Sequence, residues 1–231
     1  MFCRRAMRWR KLQRSRRTAF TQTALLNLET VGYDETRGRL FYQQLLNQFE
    51  RAPGVRQVSL AEIIPLKMEM VRGSRVAVEG NDAPSGDYPW LQLNTVGPRY
   101  FETMGIPLLA GREFNPQDNE GAPPVVVINE TMARRFWTGP QSALGRRLRL
   151  SERENVLSPY YEVVGVVKDS KYRSLGEEPR PFFYVPALQN YRQQMALHLR
   201  TVGEPSHMRN AVRDRVVALD KSLLVEVSTL R

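Results

Sequence analysis

Cysteine and histidine are almost missing from these 231 residues: Cys3 stands alone, and His198 and His207 are the only histidines. A lone cysteine can form neither an internal disulfide nor a cysteine-based metal cluster. Neither histidine has a Cys, Asp or second His at ligand spacing, so both read as surface side chains. Long apolar runs are also lacking, and no stretch reaches the roughly 18–20 apolar residues that cross a bilayer. There is no Gly-x-Ser-x-Gly elbow, no Gly-x-Gly-x-x-Gly fingerprint and no Walker phosphate loop. No catalytic, cofactor-binding or metal-ligating residue is assigned on this basis, and no cofactor.

Charge is present but uneven. The net charge is +10, and residues 1–20 hold eight basic side chains (Arg4, Arg5, Arg8, Arg10, Lys11, Arg14, Arg16 and Arg17) and no acid. The remainder is close to neutral, so the high isoelectric point describes a tail and not the folded body. Residues 1–20 read as a disordered basic leader, with a headgroup-contacting segment or a nucleic-acid-binding arm as the competing readings. No apolar stretch follows the leader as it would in a signal peptide. The expectation is a chain without export signal or anchor: a cytosolic protein, a misassigned start, or a piece of a longer membrane protein.

Hydrophobic residues at 42% and charged residues at 25% suit a globular fold. Ala24–Leu28 reads as a strand. Leu40, Phe41, Leu45, Leu46 and Phe49 share one side of a helix over 37–50, which Pro53 and Gly54 end. Strands follow over 55–64, 75–79 and 91–95, with a Pro/Gly/Asp-rich loop over 81–89. A short helical turn spans 98–104. The β-branched run Val125–Ile128 reads as a buried strand, and Asn129 as the N-cap of a short helix closed by Gly139 and Pro140. Strands over 161–167 and 182–185 come next. Met195, Leu197 and Leu199 alternate with Ala196, His198 and Arg200 in a half-exposed strand. Ser206 can cap a last helix, and Leu224–Val227 reads as the last strand.

Each end thus supplies a strand, an amphipathic helix and a further strand, the pieces of a split β-α-β, ferredoxin-like packing. The fold expected is α+β and two-lobed. Residues 21–90 with 191–231 read as one lobe, and 91–190 as a second α/β lobe inserted into it.

The candidates for chemistry are few. Asp169 follows a strand, and Glu177–Glu178 and Glu152–Glu154 are acid pairs in loops. A hydrolase using Asp169 or Glu177 needs them in one concave pocket. Arg146, Arg147 and Arg149 read as the basic outer face of a strand, against a phosphate or nucleic-acid groove. The near-neutral body and the absence of interleaved aromatics weigh against nucleic acid. Three aromatic patches, Tyr100–Phe101, Phe136–Trp137 and Phe182–Tyr184, read as packing between lobes. No small-molecule site shows.

Taken in order, several segments resemble a known family. Gly32-Tyr33-Asp34 leads into the helix carrying Phe41–Leu46, followed by Pro53-Gly54-Val55. Then come Asn94–Pro98, Tyr100-Phe101, Gly105-Ile106, Leu108 and Gly111-Arg112, a spaced pattern that is the most specific part. Val126–Phe136, Leu144-Gly145-Arg146-Arg147, Glu162–Asp169 and Tyr184-Val185-Pro186 complete the order. The chain, over about residues 24–231, resembles the MacB-like periplasmic core domain of FtsX-like ABC transporter permeases, of the duplicated-permease type. The resemblance implies a porter-like lobe (residues 21–90 with 191–231) with an inserted smaller α/β lobe (91–190), in a non-catalytic domain on the extracytoplasmic, periplasmic face of the bacterial inner membrane. It implies as partners transmembrane permease segments and an ABC ATPase subunit, with other envelope proteins beyond them. It also implies a role coupling ATP-driven motion to export or mechanotransmission. A basic-arm nucleic-acid-binding protein is the alternative. The leader and the lack of flanking transmembrane helices depart from the family pattern.

Overall fold

The computed structural model describes residues 19–67, 72–80, 87–153, 156–202 and 205–230. The expected leader lies outside the described residues up to position 18, and Ala19 and Phe20 already belong to the first strand. In chain order the first elements are β1 (Ala19–Asn27), α1 (Glu35–Glu50), β2 (Val55–Ala61), β3 (Gly73–Val78) and β4 (Trp90–Val96). Then come α2 (Tyr100–Met104), β5 (Leu108–Gly111), β6 (Val125–Asn129), α3 (Glu130–Phe136) and α4 (Pro140–Ala143). β7 (Arg147–Arg153), β8 (Val156–Leu157), β9 (Tyr161–Val167), β10 (Phe182–Pro186), β11 (Gln194–Val202), α5 (Pro205–Leu219) and β12 (Glu226–Leu230) complete the chain.

The two ends build one four-stranded antiparallel sheet in the order β12-β1-β11-β2. Counted along the chain, these strands stand fourth, first, third and second, the ferredoxin-like order expected of two β-α-β halves. α1 starts at Glu35, earlier than its apolar spacing suggests, because the Asp34 carboxylate accepts the Arg37 N–H at 2.8 Å and caps the first turn. Its inward face carries Phe41, Tyr42, Leu45 and Phe49. These pack on Ala24, Leu26, Leu197 and Leu199 of the sheet and on Val212 and Val216 of α5. Leu40, placed on that face by its spacing, is instead 53% exposed at its edge.

The middle of the chain closes on itself. β4 pairs with β10, β10 with β6, β6 with β9, β9 with β7, β7 with β3, and β3 again with β4. β4–β10 and β6–β9 are parallel, and the other pairs antiparallel. Such a ring leaves none of its six strands as a free edge. Val76, Val78, Leu93, Val126, Ile128, Leu148, Val163 and Phe183 fill it, with Met132 and Ala133 of α3. Asn129 caps α3 as expected, its Oδ1 accepting the Met132 N–H at 3.0 Å. Pro140 does not end this segment. It opens α4, where a missing N–H costs nothing at the first helical position. At the other end, α5 begins at Pro205, ahead of Ser206, and the last strand starts at Glu226. Leu224, expected in that strand, is 92% exposed in the preceding turn.

The lobes share one rung of ladder, Ala61 opposite Val96. Beside it the Glu62 N–H donates to the Thr95 carbonyl at 2.9 Å, and the Gly97 N–H to that of Leu60 at 2.8 Å. A side chain at position 97 would sit about 3.2 Å from the Leu60 nitrogen, a tight contact that a larger residue could make only if the two sheets moved apart by a few tenths of an ångström.

One expectation fails at the centre of the fold. β11 is buried along almost its whole length, and His198 is fully buried rather than a surface residue. The helices cover one face of the sheet, and α2 lies against β2 and β11 on the other. The alternation was real, but both faces are covered.

Candidate functional site

Where the lobes meet, aromatic side chains take over from aliphatic ones. Tyr100 and Phe101 of α2, Phe114, Tyr172, and Phe182 and Tyr184 of β10 form a third buried cluster with Ala61, Ile63 and Val96. Phe101 stands edge-on to Tyr184 at 4.8 Å, and Tyr172 stacks on Phe182 at 4.4 Å. Two of the aromatic patches seen in the sequence thus merge between the lobes. The third, Phe136–Trp137, packs only against the ring's own core.

The phenols are held in polar contacts. Tyr100 and Tyr172 hydroxyls lie 3.2 Å apart, Asn94 Nδ2 donates to Tyr172 at 3.3 Å, and Ser170 meets Tyr184 at 3.0 Å. Burial pushes all three phenols above their ordinary value, so they stay protonated. Asn94 also binds both backbone groups of Ile63, accepting its N–H at 2.9 Å and donating to its carbonyl at 3.0 Å. The segment after β2 is thereby fastened to the ring.

His198 faces this cluster, edge-on to Tyr100 at 5.8 Å, and neither ring nitrogen has a hydrogen-bond partner. Burial lowers its pKa to about 3, so the ring is neutral at physiological pH.

Beside the aromatic cluster a cleft of about 850 Å3 opens between the lobes. Tyr42 and Leu46 of α1, Val58 and Leu60 of β2, Met195 of β11 and Phe114 give it an apolar floor. Arg39 crosses its mouth. The guanidinium pairs with Glu35 of its own helix at 2.7 Å and with Glu120 of the ring lobe at 2.5 Å, and donates to the Leu188 carbonyl at 2.9 Å. Gln189 holds the facing loop, donating to the carbonyl of Pro123 at 3.0 Å and accepting the Val125 N–H at 3.2 Å. A cleft of this size is within the range of small-ligand sites. The sequence showed no such site, because its walls come from segments far apart in the chain.

The described residues singled out from sequence are scattered, and most are engaged by neighbours. Asp169 accepts from Asn129 Nδ2 at 2.7 Å, the Thr131 N–H at 3.0 Å and the Thr131 hydroxyl at 2.8 Å, and so braces the start of α3. Glu177 accepts the N–H groups of Tyr172 and Arg173 in its own turn, and Glu178 is exposed. Arg147 pairs with Glu79 across β3 and β7. Arg149 donates to the Ser158 carbonyl at 2.8 Å, and Arg146 to that of Ser142 at 3.3 Å. Tyr160 lies under both Arg147 and Arg149. The strand arginines therefore bind the protein itself. The side chains of Glu152, Glu154 and His207 lie outside the described residues. Among the described residues no three of His, Cys, Asp and Glu come together as a metal site, and no helix is long and apolar enough to cross a membrane.

A ferredoxin-like sheet joined through one ladder rung to a closed six-stranded ring, with a cleft between them, defines a two-lobed class of mixed α/β domain. The chain belongs to the MacB-like periplasmic core domain family, whose model matches residues 12–223. The match starts within the arginine-rich leader, earlier than the motif order alone suggested. Three solved structures share the fold. The periplasmic region of MacB from Actinobacillus actinomycetemcomitans is 14% identical, with a TM-score of 0.57 over 89% of this chain and 87% of that one. A domain of a putative permease protein from Porphyromonas gingivalis is 16% identical, with a TM-score of 0.53 over 93% and 91%. The extracellular domain of the noncanonic ABC-type transporter YknZ from Gram-positive bacteria is 15% identical, with a TM-score of 0.54 over 91% and 100%. No curated protein matches by sequence.

Proposed function

We propose that this domain works on the periplasmic side of an ABC transporter permease, as a non-catalytic element that couples ATP-driven motion to export or mechanotransmission. Family membership supports the setting. The observation that carries the mechanical part is the junction: two separately cored lobes share a single ladder rung and enclose a cleft. We take the mechanical units to be residues 19–61 with 194–230 and residues 73–186, since β3 pairs and packs within the ring. Coupling of this kind needs two rigid bodies and a hinge, and no nucleophile. The partners in this reading are the transmembrane segments of the permease and a cytoplasmic ATPase subunit.

The test is localisation and function together. In its own cells, a tagged chain should fractionate with the inner membrane, be cut by protease added from the periplasmic side, and co-purify with an ABC ATPase. Cross-linking Asn47→Cys to Asn119→Cys across the cleft should then slow ATP hydrolysis by that assembly. Recovery of the chain in the cytosol, free of an ATPase, would overturn the proposal.

A further inference from the structure

Two stretches of the chain connect the lobes: positions 62–72 between β2 and β3, of which 62–67 and 72 are described, and positions 187–193 between β10 and β11. One carboxylate touches both. Glu62 follows the shared rung directly, and its side chain is only 9% exposed. Its Oε2 takes Arg72 Nη1, at the far end of the first crossing, at 2.5 Å. The same oxygen accepts the Thr95 hydroxyl of β4 at 2.8 Å. Its Oε1 faces Arg192 Nε of the second crossing at 3.4 Å.

We infer that Glu62 is a hinge pin: by binding Arg72, Thr95 and Arg192 together, it holds both crossings against the shared rung and so sets the angle between the lobes. A carboxylate this far out of water is retained only where its partners compensate the desolvation, and removing one partner strands the other charge. The two arms of the pin are unequal. Arg72 is at full hydrogen-bonding distance and also reaches Thr95 Oγ1 at 3.3 Å. Arg192 is at ion-pair distance only; its Nε lacks a hydrogen bond, and it lines the cleft. Release therefore begins at the Arg192 arm, on the side where the cleft opens. Arg39–Glu120 and the aromatic cluster also join the lobes. Neither touches both crossings, so neither can fix the angle from the hinge itself.

The inference concerns the domain by itself and stands whether or not the domain transmits force in a permease. Its test is a distance measurement in the full chain carrying Cys3→Ser, with spin labels at Leu224→Cys in the first lobe and at Leu175→Cys in the loop between β9 and β10 of the second. These side chains are 92% and 79% exposed, so labels there disturb little. The unaltered hinge should give one narrow inter-label distance. Glu62→Gln, which keeps an acceptor for Thr95 but loses the charge, should at least double the width of the distribution. Arg192→Gln, which leaves the Arg72 arm intact, should broaden it less and keeps the test open if Glu62→Gln fails to fold. Lowered melting temperatures with unchanged widths in the folded variants would make Glu62 a stability residue only and overturn the pin.

Discussion

The six-stranded ring and the four-stranded sheet bury their backbones in different ways. The ring pairs β4 with β10 and β3 with β4, so its six strands leave no edge, and its filling is mainly aliphatic. The sheet is open. β12 ends it on one side, and on the other β2 touches the ring through one rung. Its apolar face depends on two helices, and its opposite face carries a row of polar side chains, Ser228, Thr23, His198 and Ser59, in register across four strands. Closure ties each of the six strands to two neighbours. We place the proposed motion at the junction, where the sheet meets the ring through a single rung and the aromatic cluster, and not inside either lobe.

The contrast can be broken first in the cores. Phe49→Ala and Phe183→Ala each empty a fully buried aromatic site and should cost about 3–5 kcal/mol. Hydrogen exchange should then speed up in β1 and β11 for the first variant, and in β4 and β10 for the second. Loss of protection in both lobes together, in both variants, would make them one cooperative unit.

The polar face of the open sheet gives the next effect. With a pKa of about 3 folded against 6.5 ordinarily, His198 resists protonation only in the folded state. As pH falls, the unfolded chain takes the proton first. This contribution is therefore complete above pH 6.5 and declines steadily towards pH 3. His198→Leu should cut the loss of stability between pH 7 and 4 by roughly 3 kcal/mol in urea titrations, compared with the unaltered chain. Equal losses would show that burial does not hold the folded imidazole neutral over this range.

A smaller change tests how α1 seats on the second crossing. A methyl group at Gly38 would lie 1.8 Å from the Tyr191 hydroxyl oxygen. Gly38→Ala should cost about 1–3 kcal/mol in chemical unfolding, by driving Tyr191 off the helix. A neutral outcome would mean that Tyr191 moves freely. The smallest effect belongs to the strap across the cleft. Arg39 and Glu120 are partly exposed, with side-chain accessibilities of 24% and 60%, so their coupling in a double-mutant cycle with alanine should stay below about 1 kcal/mol. A larger coupling would make this strap, in addition to the hinge, a main tie between the lobes.

Most of the elements were legible because each follows a local rule. Apolar spacing marked α1, the β-branched run marked β6, and the side chain of Asn129 marked the start of α3. The split β-α-β halves were legible for the same reason, and the spaced Tyr100–Arg112 pattern pointed to the family. The failures are equally specific. Alternation in β11 distinguishes two faces but cannot say that α2 covers the second, so His198 was placed on the surface. Asp169, Glu177 and the strand arginines carry chemistry-bearing groups, but only their neighbours show those groups to be engaged.

By itself the sequence determined the periodicities, the caps and the breaks, which depend on residues within a turn or two of one another. The tertiary structure alone decided the ring closure, the cleft and the meeting of Glu62 with Arg72 and Arg192. Glu62 and Arg192 lie on different crossings, far apart in the chain, and a carboxylate's partners across such a separation are chosen by how the sheets dock, not by any spacing in the sequence.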